Sequence, residues 1–401
     1  MRIGIDTRFL HLGLTHSKEI DLLGGVAGYL YYLVTHLLET DQSNTYVLLA
    51  DASRPIGPFR KLVSGKANVE FLSIASPFHI PLVDASLGAA VRLAQDRLHK
   101  LPQIVRADLD VLHTHEDVLG LERVSTHEVV SIHAFLGRRG TAGGLGHHLW
   151  RKKLNRLGQA ARLVAISDGL KQDIVDCLGI ASDRVVTIHH GYASKLFRPM
   201  TSQTSVESTL TRYGLKAGYL LYVGGLAPVK NVPNVLRAYK TALTEHQLDM
   251  PLVLCGIVSR FYKREYVKVR MLIRRLGLEE SVRIISYVPH HDLPSFFNGA
   301  VAVLSPSFSE GFGLVPLEAM ACGTPVVVSN RPAMPEIAGD AGYYVDPEDV
   351  GQIAQGVYDL VHDGELRARL RDRGLDRAKA FSWERCVQET SKLYGDVVHA
   401  N

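Results

Sequence analysis

The sequence predicts an α/β architecture of two doubly wound domains facing across a cleft, and three observations carry that expectation. At 401 residues the chain is long for one hydrophobic core and comfortable for two. Two separate series of short apolar runs alternate with helical patterns, which implies largely parallel sheets covered on both faces. Glycines recur where those runs end, at the carboxyl edges of strands where ligands of such sheets bind.

Composition narrows the class. Apolar residues make up 46% and charged residues 21% of the chain, as in an ordinary water-soluble globular protein. The four cysteines, Cys177, Cys255, Cys322 and Cys386, form neither a CxxC pair nor a disulfide framework, which favours a reducing, cytoplasmic compartment. A formal net charge of +4 is too small to imply a nucleic-acid partner.

Taken in order, Met1 to Asp6 reads as a first buried strand. The apolar run Leu22 to Leu38 reads as a buried helix, too short and too late for a membrane span or a signal peptide, with Gly24 and Gly25 at its start. A diglycine there lets a ligand approach the helix amides and the positive end of the dipole. Strands are expected at Tyr46–Ala50, Val69–Leu72, Val111–His113, Val129–His133 and Leu163–Ile166, and helices at Leu87–Lys100, Leu149–Gln159 and Gly169–Leu178. One more strand lies within Asp183–Pro199, and Met200–Ser208, rich in Ser and Thr without an apolar period, suits a linker. The second series begins at Tyr219, with strands in YLLYVGG, PLVLCG, VRIIS, AVAVLS and PVVVS. The expected division is a first domain over 1–195, a linker over 196–217, a second domain over 218–380, and a closing helix over 381–401 that packs back on the first domain.

The most informative stretch is Ser305 to Asn330, SPSFSEGFGLVPLEAMACGTPVVVSN. With the preceding strand Ala300 to Leu304 it reads as strand, glycine loop carrying Glu310, helix carrying Glu318, and a second strand, Pro325 to Val328. That geometry brings backbone N–H groups up to an anion. A carboxylate cannot hold a phosphate, so the two glutamates are expected to accept hydrogen bonds from hydroxyls while the amides hold the anion. The combination suits a phosphorylated polyol such as a nucleotide sugar. A solvated helix glutamate is the ordinary alternative for Glu318, but its neighbours Leu317, Ala319 and Met320 argue against exposure.

These residues also carry a resemblance. The chain resembles the retaining, nucleotide-sugar-dependent glycosyltransferases of family 4, which have the GT-B architecture of two Rossmann-like domains. The similarity rests on SEGFGLVPLEAMACGTPVV, YVGGLAPVKN, GGVAGY, AISDGLKQDIVDCLGIASDRVVTIHHGYASKLFRP and FSWERCVQETSKLY, in the expected order. It implies that Glu310 contacts hydroxyls of the donor sugar, with Gly311, Phe312, Gly313 and Leu314 beside sugar and diphosphate. Glu318 would accept from the ribose hydroxyls, Lys230 would neutralise the diphosphate, and Gly24, Gly25 and Gly225 would complete the donor set. His133 matches the family's active-site histidine, so His133, Lys230 and Glu310 are the expected catalytic residues. Two departures stand out: Gly225 occupies a position where the family often has arginine, and Ala134 follows His133 where an aspartate is common.

The implied reaction moves a sugar from a nucleoside diphosphate to an acceptor hydroxyl with retention, in the synthesis of a polysaccharide, glycolipid or other glycoconjugate. GDP-mannose is the leaning for the donor and UDP-sugars stay open; the acceptor is carbohydrate, lipid-linked or small. A catalytically inactive sugar-nucleotide-binding scaffold is the alternative on the same fold. Neither a cofactor nor a metal is expected. The pair Asp108 and Asp110 precedes a strand, and the HxH of His113 and His115 has no third ligand in its vicinity. Two basic groups remain. Arg138, Arg139, Arg151, Lys152, Lys153 and Arg156 are expected first as a solvated face, with attraction of a phosphorylated acceptor or of an anionic membrane surface at the cytoplasmic face as the alternative. Arg260 and the run from Lys263 to Arg275 are expected as a solvated face.

Overall fold

The computed structural model describes residues 1–8, 10, 25–51, 57–74, 101–116, 127–134, 145–245, 247–256 and 262–400. They fall into two compact units, Met1–Gly191 with Trp383–Asn401, and Tyr192–Ser382.

Unit 1 contains β1 (Arg2–Asp6), α1 (Val26–Thr40), β2 (Thr45–Asp51), α2 (Gly57–Val63), β3 (Val69–Ile74), α3 (Leu101–Val105), β4 (Val111–His115), β5 (Glu128–Ile132), α4 (Leu145–Leu157), β6 (Arg162–Ala165), α5 (Asp168–Leu178) and β7 (Val185–Thr187). Its seven strands are ordered β3-β2-β1-β4-β5-β6-β7, and the pairings are parallel. β4 and β5 are buried at every residue, as expected of central parallel strands covered on both faces. The order reverses between β1 and β4, which makes the carboxyl ends of those strands the natural ligand crevice of this unit.

Unit 2 contains α6 (Gln203–Arg212), β8 (Tyr219–Val223), α7 (Val232–Glu245), β9 (Leu252–Cys255), α8 (Lys263–Arg275), β10 (Val282–Ile285), α9 (Leu293–Gly299), β11 (Ala300–Ser305), α10 (Leu314–Ala321), β12 (Val326–Ser329), α11 (Ala333–Ala338), β13 (Gly342–Val345), α12 (Val350–His362) and α13 (Gly364–Ala378). The six strands run β10-β9-β8-β11-β12-β13, again parallel, with the reversal between β8 and β11. Two Rossmann-like sheets of this kind are the GT-B fold.

The last helix, α14 (Trp383–His399), returns to unit 1. Trp383, Cys386, Val387, Leu393, Tyr394 and Val397 join one hydrophobic cluster with Ile3, Tyr29, Leu33 and Leu37. Their spacing of three and four residues puts them on one helical face. Burying an apolar side chain of this size contributes about 1.5–3 kcal/mol, so α14 is integral to the core of unit 1.

Two expectations change. Residues 200–208, read as linker, lead into α6: Ser202 accepts from the Ser205 amide, and Val206 and Leu210, four residues apart, are buried. α6 packs on α9, so this stretch is part of unit 2. β13, the strand GYYV, was absent from the expected set. Leu22, Leu23 and the expected helix Leu87–Lys100 lie outside the described residues.

Candidate active site

The crevice of unit 2 is built by the segments leaving β8 and β11. After β8 the chain turns through Gly224, whose φ of +147° suits glycine, and Gly225, whose carbonyl accepts from the Tyr222 hydroxyl at 2.8 Å. A single 3₁₀ turn, Pro228–Lys230, ends at Asn231, which is buried with φ +61°. Asn231 Nδ2 donates to the carbonyls of Pro306 (2.9 Å) and Pro347 (2.6 Å), while the Phe308 amide donates to the Val229 carbonyl at 2.8 Å. These bonds stitch one loop to the other.

The stitching brings Lys230 to Glu310. Lys230 Nζ lies 2.7 and 2.6 Å from the two carboxylate oxygens, and Ser307 Oγ donates to Oε1 at 2.7 Å. The lysine side chain is 34% exposed and the glutamate 14%, so the pair faces the crevice without being freely solvated. An ammonium has three donors, and Glu310 engages two.

Gly313 then opens α10. Its φ is +116°, no side chain caps the helix, and a Cβ there would lie 2.6 Å from Met334 Cε. Only glycine turns the chain into the helix at this point. Phe312 packs inward, its ring 5.8 Å from that of Phe381 at 86°, with Gly311 before it and the half-buried Leu314 after it. Gly225, by contrast, has no atom within 4 Å of the site of a Cβ. Glu318, in the second turn of α10, is 13% exposed and lies 3.8 Å from His290 Nε2. Burial raises its pKa above the usual carboxyl value, and His290 opposes that shift. His290 itself packs edge-on against Phe197 at 5.1 Å. Sequence reasoning missed His290, although the HH pair following β10 sits at the same kind of strand end as the glycines.

In unit 1, His133 directly follows β5 and is 8% exposed. Its Nε2 is 3.3 Å from Nδ1 of His115 at the end of β4. Its backbone N–H donates to both oxygens of Glu116 at 3.1 and 3.2 Å, and the Ala134 N–H donates to Oε1 at 3.3 Å. Glu116 thus anchors the turn from the neighbouring strand, a residue that sequence reasoning did not single out. Tyr29 of α1 packs edge-on against His133 (4.6 Å) and stacks on His190 (4.8 Å). A buried chain runs behind them: Tyr29 Oη to Ser131 Oγ at 3.2 Å, Ser131 Oγ to His113 Nε2 at 2.7 Å, and His113 Nδ1 to Tyr394 Oη at 2.6 Å. His113 is therefore committed to internal hydrogen bonds. Burial pushes the His113 and His190 pKa values well down and that of His115 to about 4, with neighbouring histidines adding to the shift.

Gly25, φ +77°, stands at the start of α1, where no side chain caps the helix. Gly24 lies outside the described residues, as do Arg138, Arg139 and Arg260. Arg156, expected on a basic surface, is instead buried and paired with Glu128 of β5, because a guanidinium reaching under a sheet needs a carboxylate there. Asp110 accepts from the Arg2 backbone N–H at 2.6 Å, consistent with a polar residue leading into β4.

Comparison with known proteins agrees with both halves. Residues 23–194 match the family described as Glycosyltransferase Family 4 and residues 213–377 match Glycosyl transferases group 1. The O-antigen chain mannosyltransferase B of Escherichia coli is 36% identical over 59% of this chain and 61% of its own length. The D-inositol 3-phosphate glycosyltransferase of Corynebacterium jeikeium is 29% identical over 59% of this chain and 57% of its own. The chain thus spans about three fifths of the length of these curated relatives. Among solved structures, Anabaena Alr3699/HepE in complex with UDP-glucose has a TM-score of 0.74 at 17% identity, covering 99% of this chain and 100% of that one.

Proposed function

Because the chain belongs to the group 1 glycosyl transferases, we propose that it moves a hexose-type sugar from a nucleoside diphosphate to an acceptor hydroxyl with retention. The observation that carries the reading is the Lys230–Glu310–Ser307 cluster at the strand-order reversal of unit 2, beside a glycine-opened helix N-terminus. The difficult step is departure of the diphosphate, as negative charge grows on its bridging oxygen. The Lys230 ammonium and the first amides of α10 are fixed donors suited to that charge, and such donors are commonly the largest catalytic term. Glu310, held by Lys230 and Ser307, accepts from sugar hydroxyls. Glu318 accepts from the ribose.

On this reading the acceptor attacks from the face the diphosphate leaves, the departing phosphate takes the acceptor proton, and no enzymic nucleophile forms a covalent bond. Lys230 supplies the countercharge that a divalent cation supplies elsewhere, so neither metal nor cofactor is required. The His133 cluster of unit 1 is assigned to the acceptor side. The Escherichia coli relative is by name a mannosyltransferase, which supports GDP-mannose over the UDP-glucose found with the Anabaena protein.

A thermal-shift series with GDP, UDP, GDP-mannose and UDP-glucose tests the donor. A ligand at a hundred times its dissociation constant stabilises by about 2.7 kcal/mol, and GDP-mannose is expected to give the largest shift. Product formed with an inverted anomeric centre, or activity abolished by EDTA, overturns the corresponding part of the mechanism; no shift with any of the four overturns the donor class.

A further inference from the structure

The solvated face expected of α8 has a second property in the structure. At about 100° per residue, Arg264, Val267, Lys268, Met271, Arg274 and Arg275 fall within about a third of the helix circumference. All six are exposed, with Val267 at 55% and Met271 at 67%. Val269 and Ile273, on the opposite side, are buried in the core of unit 2. Among the described residues no other helix leaves two large apolar side chains this exposed. The lone acid of α8, Glu265, lies off the stripe and half-buried, and Glu279 and Glu280 come only after the helix has ended.

We propose that this stripe docks the protein on an anionic bilayer surface. Four cations surrounding two exposed apolar side chains match the interface of such a membrane: the charges meet lipid phosphates, and Val267 and Met271 enter the acyl boundary between them. A nucleic-acid backbone would satisfy the charges and leave the two apolar side chains in water. The surface lies outside the Lys230–Glu310 cluster and does not depend on the proposed reaction. It puts a membrane contact on the second basic group, whereas the sequence offered one only for the first, as the alternative to a solvated face.

The test is co-sedimentation of the full chain with phosphatidylcholine vesicles, with and without one third phosphatidylglycerol. Binding is expected only with phosphatidylglycerol and is expected to weaken as salt screens the charges. Each cation near an anionic surface is worth about five-fold in partitioning, so the triple variant Arg264→Gln, Lys268→Gln, Arg275→Gln is expected to bind about 100-fold more weakly. Its thermal unfolding and its donor-induced thermal shift are expected to match wild type. Independently, the tryptophan of Met271→Trp is expected to shift its emission to the blue on those vesicles. Equal binding to pure phosphatidylcholine, undiminished binding by the triple variant, no blue shift, or binding of polyuridylate through these residues without vesicle binding overturns the proposal.

Discussion

Replacing Lys230 with alanine separates the chemistry assigned to it from its contribution to folding. In the folded chain its ammonium reaches both oxygens of Glu310 at 2.7 and 2.6 Å, with side chains 34% and 14% exposed. A fully exposed ion pair contributes about 0–1 kcal/mol, and breaking a fully buried one costs about 3–5 kcal/mol. This pair lies between those limits, and Ser307 continues to satisfy one oxygen of Glu310 in the variant. A stability loss of about 1–2 kcal/mol is therefore expected, small enough to leave the protein folded. The catalytic loss is expected to be larger. Removing one donor aimed at developing charge costs about 3–4 kcal/mol, or about 100- to 1000-fold in kcat. The assay is nucleoside diphosphate release under saturating donor, alongside urea unfolding. A variant that keeps kcat within ten-fold of wild type would refute the assignment of Lys230 to the leaving group, whatever its stability.

Four further outcomes follow from the geometry. Gly313→Ala forces a side chain into φ +116° and against Met334, so it is expected to lose about 1–3 kcal/mol in urea unfolding, whereas Gly225→Ala, with open space around it, stays near neutral; equal effects would discredit the distinction. Arg156→Leu leaves Glu128 buried without its cation and is expected to cost about 3–5 kcal/mol, most of it recovered by adding Glu128→Leu, as a double-mutant cycle would report. Unit 1 is expected to be acid-labile. A histidine with a depressed folded pKa binds fewer protons folded than unfolded, so the stability it contributes is complete above about 6.5 and is lost as pH falls. For His115, which faces Asp6, Glu116 and His133 and falls from 6.5 to about 4, the loss is on the order of 3 kcal/mol, and a urea midpoint unchanged between pH 7 and 4.5 would count against it. Glu318 has the opposite sign. Its raised folded pKa contributes stability below 4.5 that is lost as pH rises, so Glu318→Gln is expected to unfold at higher temperature at pH 7 yet bind nucleotide about 10- to 100-fold more weakly, the worth of one charge-assisted hydrogen bond.

What could be read from sequence, and what could not, follows from the range over which each feature is determined. Central parallel strands are continuous apolar runs, and the strands around Ile5, Val130, Leu221 and Val303 announce themselves. β13 does not, because as an edge strand it buries only Val345 fully. α6 was taken for linker because its Ser and Thr content dominates locally. Its helix depends instead on the Ser202 cap and on packing of Val206 and Leu210. The places of Lys230 and Glu310 beside strand ends were legible because glycines mark their loops, and that of Glu318 on a helix because of the apolar residues around it. Glu116 and His290 were not, since each acts on a residue of another strand or helix, 17 positions away for the Glu116–His133 bond. Arg156 was misread for the same reason: its partner Glu128 lies 28 positions earlier, and nothing in the local run distinguishes it from its exposed neighbours.

The two units share a strand order apart from the added edge strand β7 of unit 1, yet their carboxyl-edge crevices are furnished in different ways, and the difference bears on the reaction proposed. Unit 2 places an ammonium and a carboxylate in a crevice that water still reaches, so holding them there costs little desolvation. That is what a diphosphate requires. Unit 1 surrounds His133 with three imidazoles whose pKa values burial has lowered, together with Tyr29 and the chain through Ser131 to Tyr394. Neutral imidazoles at close range can accept or donate single hydrogen bonds without collecting anions. An acceptor hydroxyl entering such a surrounding meets directional partners rather than net charge, and a second nucleotide finds no countercharge in the imidazoles. The departure at Ala134 is accommodated within this scheme, because Glu116 takes both amides of the turn and fixes the direction of His133 from the adjacent strand.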